Sequence, residues 1–251
     1  MKLTYENRMA VAGHRGDCYN YYENTKTAFE MAHREGADMI ETDVRLSSDG
    51  YLVLIHDDTI NRTTNGKGRV CEMTLEELRS LNAGDKLHPE QIPTLEELLS
   101  WAEPLNITLN LEIKEYYSEQ TKERCEKCIN DTLALVERYN MRHRVVINSF
   151  DAYVLEYVYK NYGDKYLLHG FYPYSEMFNV TIDPTEYLYC ACIFANDKKE
   201  YYDFLISNGI EPWIGASVTQ ISKLEMCKKN GARLITTNNP ADIIKKLSEM
   251  E

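Results

Sequence analysis

A chain of 251 residues, 43% hydrophobic and 27% charged, is long enough for one large domain with a full core and too apolar to be disordered. Its formal net charge of -12 disfavours electrostatic binding to nucleic acid or anionic membrane, so an anionic substrate has to be drawn by a local metal. No apolar run approaches the roughly 20 residues of a membrane span, the first residues lack a signal-peptide core, and seven cysteines, an odd count, fit reduced thiols: a cytoplasmic location is expected.

Taken in order, strand-like and helix-like segments alternate. Met9 to Gly13 is a short apolar strand, and a helix follows over Thr25 to Glu35, stopped by Gly36. Met39 to Leu46 is the second strand. Asp49-Gly50 then favours a tight hairpin, so Tyr51 to Ile55 doubles back with His56 at its end. Asp57 to Ile92, rich in Asn, Thr, Gly and charge, is periodic only over Thr74 to Leu81 and reads as an excursion from the main fold. Thr94 with Glu97 three residues later forms a capping box for a helix to about Trp101. Ile107 to Ile113 is the third strand, with a long helix over Ser118 to Tyr139; its Cys125-x-x-Cys128 lacks the second pair a zinc site needs and reads as unpaired thiols.

Val145 to Asn148 is the fourth strand, backed by a helix from Ala152 to Asn161, and Leu167 to Phe171 is the fifth. The next unit is weaker: a short helix over Pro184 to Tyr189 and a strand over Cys190 to Phe194. Lys198 to Ser207 is helical. Glu211 to Gly215 with Ile221 to Lys229, and Arg233 to Thr236 with Ala241 to Glu249, complete eight strand-helix units. Eight such units predict a closed (β/α)8 TIM barrel in a single domain over residues 1–251, with a small insertion at about 47–92 after the second strand. The alternative, an open doubly wound sheet, lacks its glycine-rich dinucleotide fingerprint after the first strand.

Side chains in a strand alternate faces, so Glu41 and Asp43 point the same way. Two neighbouring acids repel, which requires a cation between them or a proton on one. A divalent metal suits carboxylate oxygens, and Glu112 is a third acid to complete the set. In a barrel of this kind catalytic residues gather at the C-terminal strand ends, where His14, Glu41, Asp43, Glu112, Lys114, Ser149 and Phe150 fall, while His56 returns through the hairpin.

The chain resembles the glycerophosphodiester phosphodiesterases. The likeness is carried by His14-Arg15-Gly16, Glu23-Asn24-Thr25, Gly36-Ala37-Asp38, Glu41-x-Asp43-Val44, Asp49-Gly50, His56-Asp57, Arg62-Thr63-Thr64-x-Gly66, Glu112-Ile113-Lys114 and Ser149-Phe150, in order across the first 150 positions. The resemblance implies that Glu41, Asp43 and Glu112 bind magnesium or calcium, that His14 and His56 are the acid and base, and that Arg15 and Lys114 contact the phosphate or order the acids. It also implies attack by the substrate's own neighbouring hydroxyl, giving a cyclic phosphate that water then opens. The chemistry is coherent: a metal and a cationic side chain stabilise charge on the phosphoryl oxygens, and imidazoles move protons near neutral pH.

Each residue also has a plainer reading. Lys114 could serve only as counter-ion to Glu112, Glu23 and Asn24 could cap the first helix, and Glu41 and Asp43 could belong to a structural ion-pair network. Trp213, read as ending the seventh strand, would place an indole at the barrel mouth over the apolar face of a glycerol or larger alcohol, or pack between strand and helix; Phe150 and Phe171 share that ambiguity. Tyr22, Ile214-Gly215-Ala216 and Asn239 depart from the pattern of the family, all outside the acid and histidine set. The expected reaction is metal-dependent hydrolysis of a small-molecule glycerophosphodiester to glycerol 3-phosphate and an alcohol. The alternatives are a larger diester, such as a lysophospholipid or teichoic polymer, and a non-catalytic binder of phosphorylated polyols.

Overall fold

The computed structural model describes residue 3 and residues 8–194 and 196–250. Its frame is eight parallel strands: β1 (Ala10–His14), β2 (Met39–Leu46), β4 (Thr108–Ile113), β5 (Val145–Asn148), β6 (Leu167–Tyr172), β7 (Cys190–Ile193), β8 (Glu211–Ile214) and β9 (Leu234–Thr237). β1 is hydrogen-bonded to β2 on one side and to β9 on the other, which closes the sheet into a barrel. The remaining strand, β3 (Leu52–Leu54), runs antiparallel on β2, with Val44 opposite Leu54, as the Asp49-Gly50 turn dictates.

Helices α1 (Lys26–Arg34), α3 (Leu95–Ala102), α4 (Lys122–Arg138), α5 (Ala152–Tyr162), α6 (Lys199–Ser207) and α7 (Ile221–Asn230) connect successive barrel strands, and α8 (Pro240–Glu249) follows the last. Their starts follow local chemistry: Thr25 accepts from the Ala28 N–H, Thr94 and Glu97 form a reciprocal capping box, and Asp151 accepts from the Tyr153 N–H. The strands are buried on both faces, so they read as nearly unbroken apolar runs; all four residues of β5 and of β7 are buried. The outer strand faces and the helices make the main core. A second cluster fills the barrel interior with Ala10, Ala12, Met39, Val146, Leu167, Cys190, Trp213 and Leu234.

Between β2 and α3 the chain builds a small core of its own from Val53, Ile55, Ile60, Val70, Leu78, Ala83 and Ile92, around the short α2 (Leu75–Arg79). The unit between β6 and β7 differs from the expected short helix over Pro184 to Tyr189. Over that stretch a single 3-10 turn forms, Pro184–Glu186, started by the Asp183 side chain on the Thr185 N–H, after an earlier one at Tyr174–Glu176; Tyr187 then leaves helical geometry and is buried. All seven cysteines are free; Cys125 and Cys128 are buried in α4. No helix among the described residues is long and apolar enough to cross a membrane.

Candidate active site

The strand registers bring the acids together. His14 pairs with Glu41 between β1 and β2, and Asp43 with Glu112 between β2 and β4, so residues far apart in sequence share one level at the C-terminal mouth. Glu41, Asp43 and Glu112 each turn a carboxylate oxygen to a common point, all within 4.8 Å of one another. All three are buried.

Two cations answer three acids. Lys114 Nζ is 2.5 Å from Glu112 Oε1 and 3.4 Å from Asp43 Oδ1, and Arg15 Nε is 3.3 Å from Asp43 Oδ2. The backbone of Arg15 also donates to Glu41 Oε2 at 3.0 Å, because the turn that follows β1 puts Arg15 at φ 56° and Gly16 at φ 81°. Gly16 is required twice over: a Cβ there would lie 2.5 Å from the Ala28 backbone.

The electrostatics follow from burial and this imbalance. Burial, then the Asp43 charge, pushes the Glu41 carboxyl up to about 8, and burial raises Glu112 against the pull of Lys114. Burial would raise Asp43 as well, yet Lys114 and Arg15 outweigh it and hold its carboxyl below the ordinary range. Glu41 Oε1 and Asp43 Oδ1 are buried with no hydrogen-bond partner. Buried oxygens that accept no hydrogen bond, in a cluster with more acids than cations, fit a hard divalent cation, so the triad can hold a metal.

Two imidazoles stand by the acids, each fixed through one nitrogen. His14 Nδ1 is 2.7 Å from Asn238 Oδ1, while Nε2 lies 3.9 Å from Glu41 Oε2. With the amide oxygen as acceptor, the ring proton sits on Nδ1 and Nε2 is left to exchange a proton with a substrate. His56 Nδ1 donates to Asp57 Oδ1 at 2.7 Å, which likewise frees its Nε2. Burial lowers both imidazoles below their ordinary value; Arg15 adds to this at His14, while Asp43 and Asp57 oppose it at His56.

A chain of ion pairs joins the two halves of the mouth. Arg62, carried by the segment after β3, grips Asp57 through Nε at 2.8 Å and Glu23 through both terminal nitrogens at 2.6 and 2.8 Å. Glu23 in turn accepts from Arg15 at 2.9 Å. Asn24 has no part in capping α1, which Thr25 performs. Its amide donates to Asp43 Oδ2 at 2.9 Å and its oxygen accepts from Thr42.

Of the residues expected at the site, His14, Arg15, Glu41, Asp43, Glu112 and Lys114 are tied together by these contacts. His56 joins them through Asp57, Arg62 and Glu23. Phe150 follows β5 with Lys114 Nζ 5.7 Å from its ring centroid. Trp213 is a correction. It lies a layer down inside the barrel, fully buried, with its ring 4.8 Å from that of His169 and Nε1 donating to Glu211 at 3.4 Å. Alternation along β8 hands the next inward position to Gly215, which carries no side chain to wall the mouth. Asn238 and Phe194, absent from the expected set, both follow the ends of barrel strands; Phe194 already stood last in the strand expected over Cys190 to Phe194, while Asn238 lies two residues past the one expected over Arg233 to Thr236.

A family model described as the glycerophosphoryl diester phosphodiesterase family matches residues 14–186. The chain is 43% identical over 158 residues to a glycerophosphodiester phosphodiesterase of Caldanaerobacter subterraneus subsp. tengcongensis, covering 60% of this chain and 61% of that one. It is 36% identical over 184 residues to one from Bacillus altitudinis, covering 69% and 66%. The chain thus spans a little under two thirds of these relatives. Its fold is shared with a putative glycerophosphoryl diester phosphodiesterase of Silicibacter pomeroyi (TM-score 0.83, 22% identity, 98% and 95% covered). It is shared too with an Oleispira antarctica phosphodiesterase solved with the product sn-glycerol-3-phosphate (TM-score 0.81, 21% identity, 96% and 97% covered).

Proposed function

The chain belongs to the glycerophosphoryl diester phosphodiesterase family, and from that premise we propose that it hydrolyses glycerophosphodiesters to glycerol 3-phosphate and an alcohol. The observation that carries the reading is the buried Glu41, Asp43 and Glu112 triad, with two bare oxygens, set beside imidazoles that each keep one nitrogen free. In this reading the triad holds magnesium or calcium. Such a cation supplies positive charge to the phosphoryl oxygens and to the attacking hydroxyl.

The chain's own groups do the rest. Lys114 and Arg15 hold Asp43 ionised and bring positive charge to the mouth, where the phosphoryl oxygens gain negative charge during attack. One of His14 and His56 takes the proton of the nucleophile through its free Nε2, and the other returns a proton to the departing alkoxide. Seven free thiols favour a reducing compartment, and we place the protein in the cytoplasm.

The test is release of glycerol 3-phosphate from a glycerophosphodiester with added magnesium or calcium, set against the same protein with EDTA. His14→Ala and His56→Ala are each expected to lower kcat by about a hundredfold or more, and Glu41→Ala to abolish the response to metal. Normal turnover by His14→Ala or by Glu41→Ala defeats these assignments.

A further inference from the structure

Three phenylalanine rings climb from the barrel interior to its rim on the side of β5, β6 and β7. Phe171, on the inward face of β6, is buried and stacks on Phe150 with centroids 3.5 Å apart and planes 10° from parallel. Phe194, the first residue after β7, lies 5.7 Å from Phe171 and 6.1 Å from Phe150 and is 49% exposed. The inner end of this ladder meets the acids, since the Lys114 ammonium over Phe150 also touches Glu112 and Asp43. Elsewhere at the mouth the groups joined to the acids are polar or charged: Asn24, Arg15, Glu23, Asp57 and Arg62.

A phosphodiester bound at the acids extends two arms, and the mouth offers them unlike surroundings. A polyol loses its water on docking and needs hydrogen-bond partners in return, which ring faces do not supply. A quaternary ammonium has no N–H to satisfy and is drawn to the negative face of an aromatic ring. The net charge of -12 also favours a cationic arm. We infer that Phe150, Phe171 and Phe194 form the subsite for the alcohol arm, and that Phe194, whose outer face is open, sets a preference for alcohols ending in a quaternary ammonium over polyols. This assignment rests on the hydrolytic reading above.

The experiment compares kcat/KM for glycerophosphocholine and glycerophosphoglycerol, with saturating magnesium, in the unaltered protein and in Phe194→Ala and Phe194→Trp. The expected result is a choline-to-glycerol ratio of about ten or more, a fall of at least about fivefold in that ratio in Phe194→Ala, and its recovery in Phe194→Trp. Equal or better turnover of the glycerol diester, or an equal loss on both substrates in Phe194→Ala, overturns the assignment while leaving hydrolysis intact. Turnover of neither diester overturns the hydrolytic reading and takes this assignment with it.

Discussion

Asp57 shows how far a side chain can act without reaching the acids. Two hydrogen bonds from Arg62 hold its carboxyl far below the ordinary range, so it stays ionised beside His56 and orients that ring through Nδ1. Through the same hydrogen bond it also opposes the lowering of the His56 value by burial. In Asp57→Asn the acceptor becomes a neutral amide, that opposition weakens and the His56 value falls further. Whichever proton His56 carries, the limb of the kcat/KM profile that it governs should therefore move to lower pH, and a profile unchanged in both limbs would remove Asp57 from this role. Arg62→Met cuts the same chain one step earlier, frees Asp57 from its ion pair and leaves Glu23 to Arg15 alone. A drop in kcat of about tenfold to a hundredfold is expected, with partial recovery in Arg62→Lys; full activity in Arg62→Met would show that the ion-pair chain is only surface charge.

At the scale of elements, most strands and helices were legible because each carries a local signal. β2 and β5 have the boundaries expected from their apolar runs, and the capping box at Thr94 and Glu97 starts α3 as anticipated. Asn239, a departure from the family pattern, caps α8 by accepting from the Asp242 N–H, so the change keeps the function of a capping residue. Depth inside the barrel was not legible. Period-two alternation gives the face of Trp213, but its level depends on how far each strand is staggered against the next, and that is set by closure of the whole sheet. The connection from β6 to β7 was unreadable for a related reason: it is held by a distant helix and has no periodicity of its own. Glu156 of α5 is buried and accepts from the Thr181 N–H at 2.6 Å, the Ile182 N–H at 2.9 Å and the Thr181 hydroxyl. Burial works against its ionisation, but these donors prevail and lower its value. Its folded value is thus depressed, so the stability it contributes is present above about pH 4.3, the unfolded value, and fades as pH falls through the folded one. Glu156→Ala should cost about 2–3 kcal/mol in urea unfolding at neutral pH. The gap to the unaltered protein should narrow in acid, and a pH-independent gap would contradict the charged clamp.

For the molecule as a whole, the triad couples metal binding to folding. In the unfolded chain Glu41, Asp43 and Glu112 lie up to 71 positions apart and cannot act together, whereas pairing of β2 with β4 sets their oxygens within 4.8 Å. A ligand that binds the folded state alone stabilises it by about 2.7 kcal/mol at a hundredfold excess over Kd. For a chain of this length that corresponds to a rise in Tm of roughly 5–10 °C. Calorimetric scans with magnesium or calcium at that excess should show this rise, and Glu41→Gln should suppress it without needing any substrate. The burial of Glu41 gives the sign of a second effect. Its carboxyl, pushed up to about 8, already carries a proton at neutral pH when no metal is bound, so the neutral Glu41→Gln should be no less stable than the metal-free parent. A Tm indifferent to either cation in the parent protein, or an equal rise in Glu41→Gln, would mean that the three acids are balanced by Arg15 and Lys114 alone and that the barrel was not built around a metal.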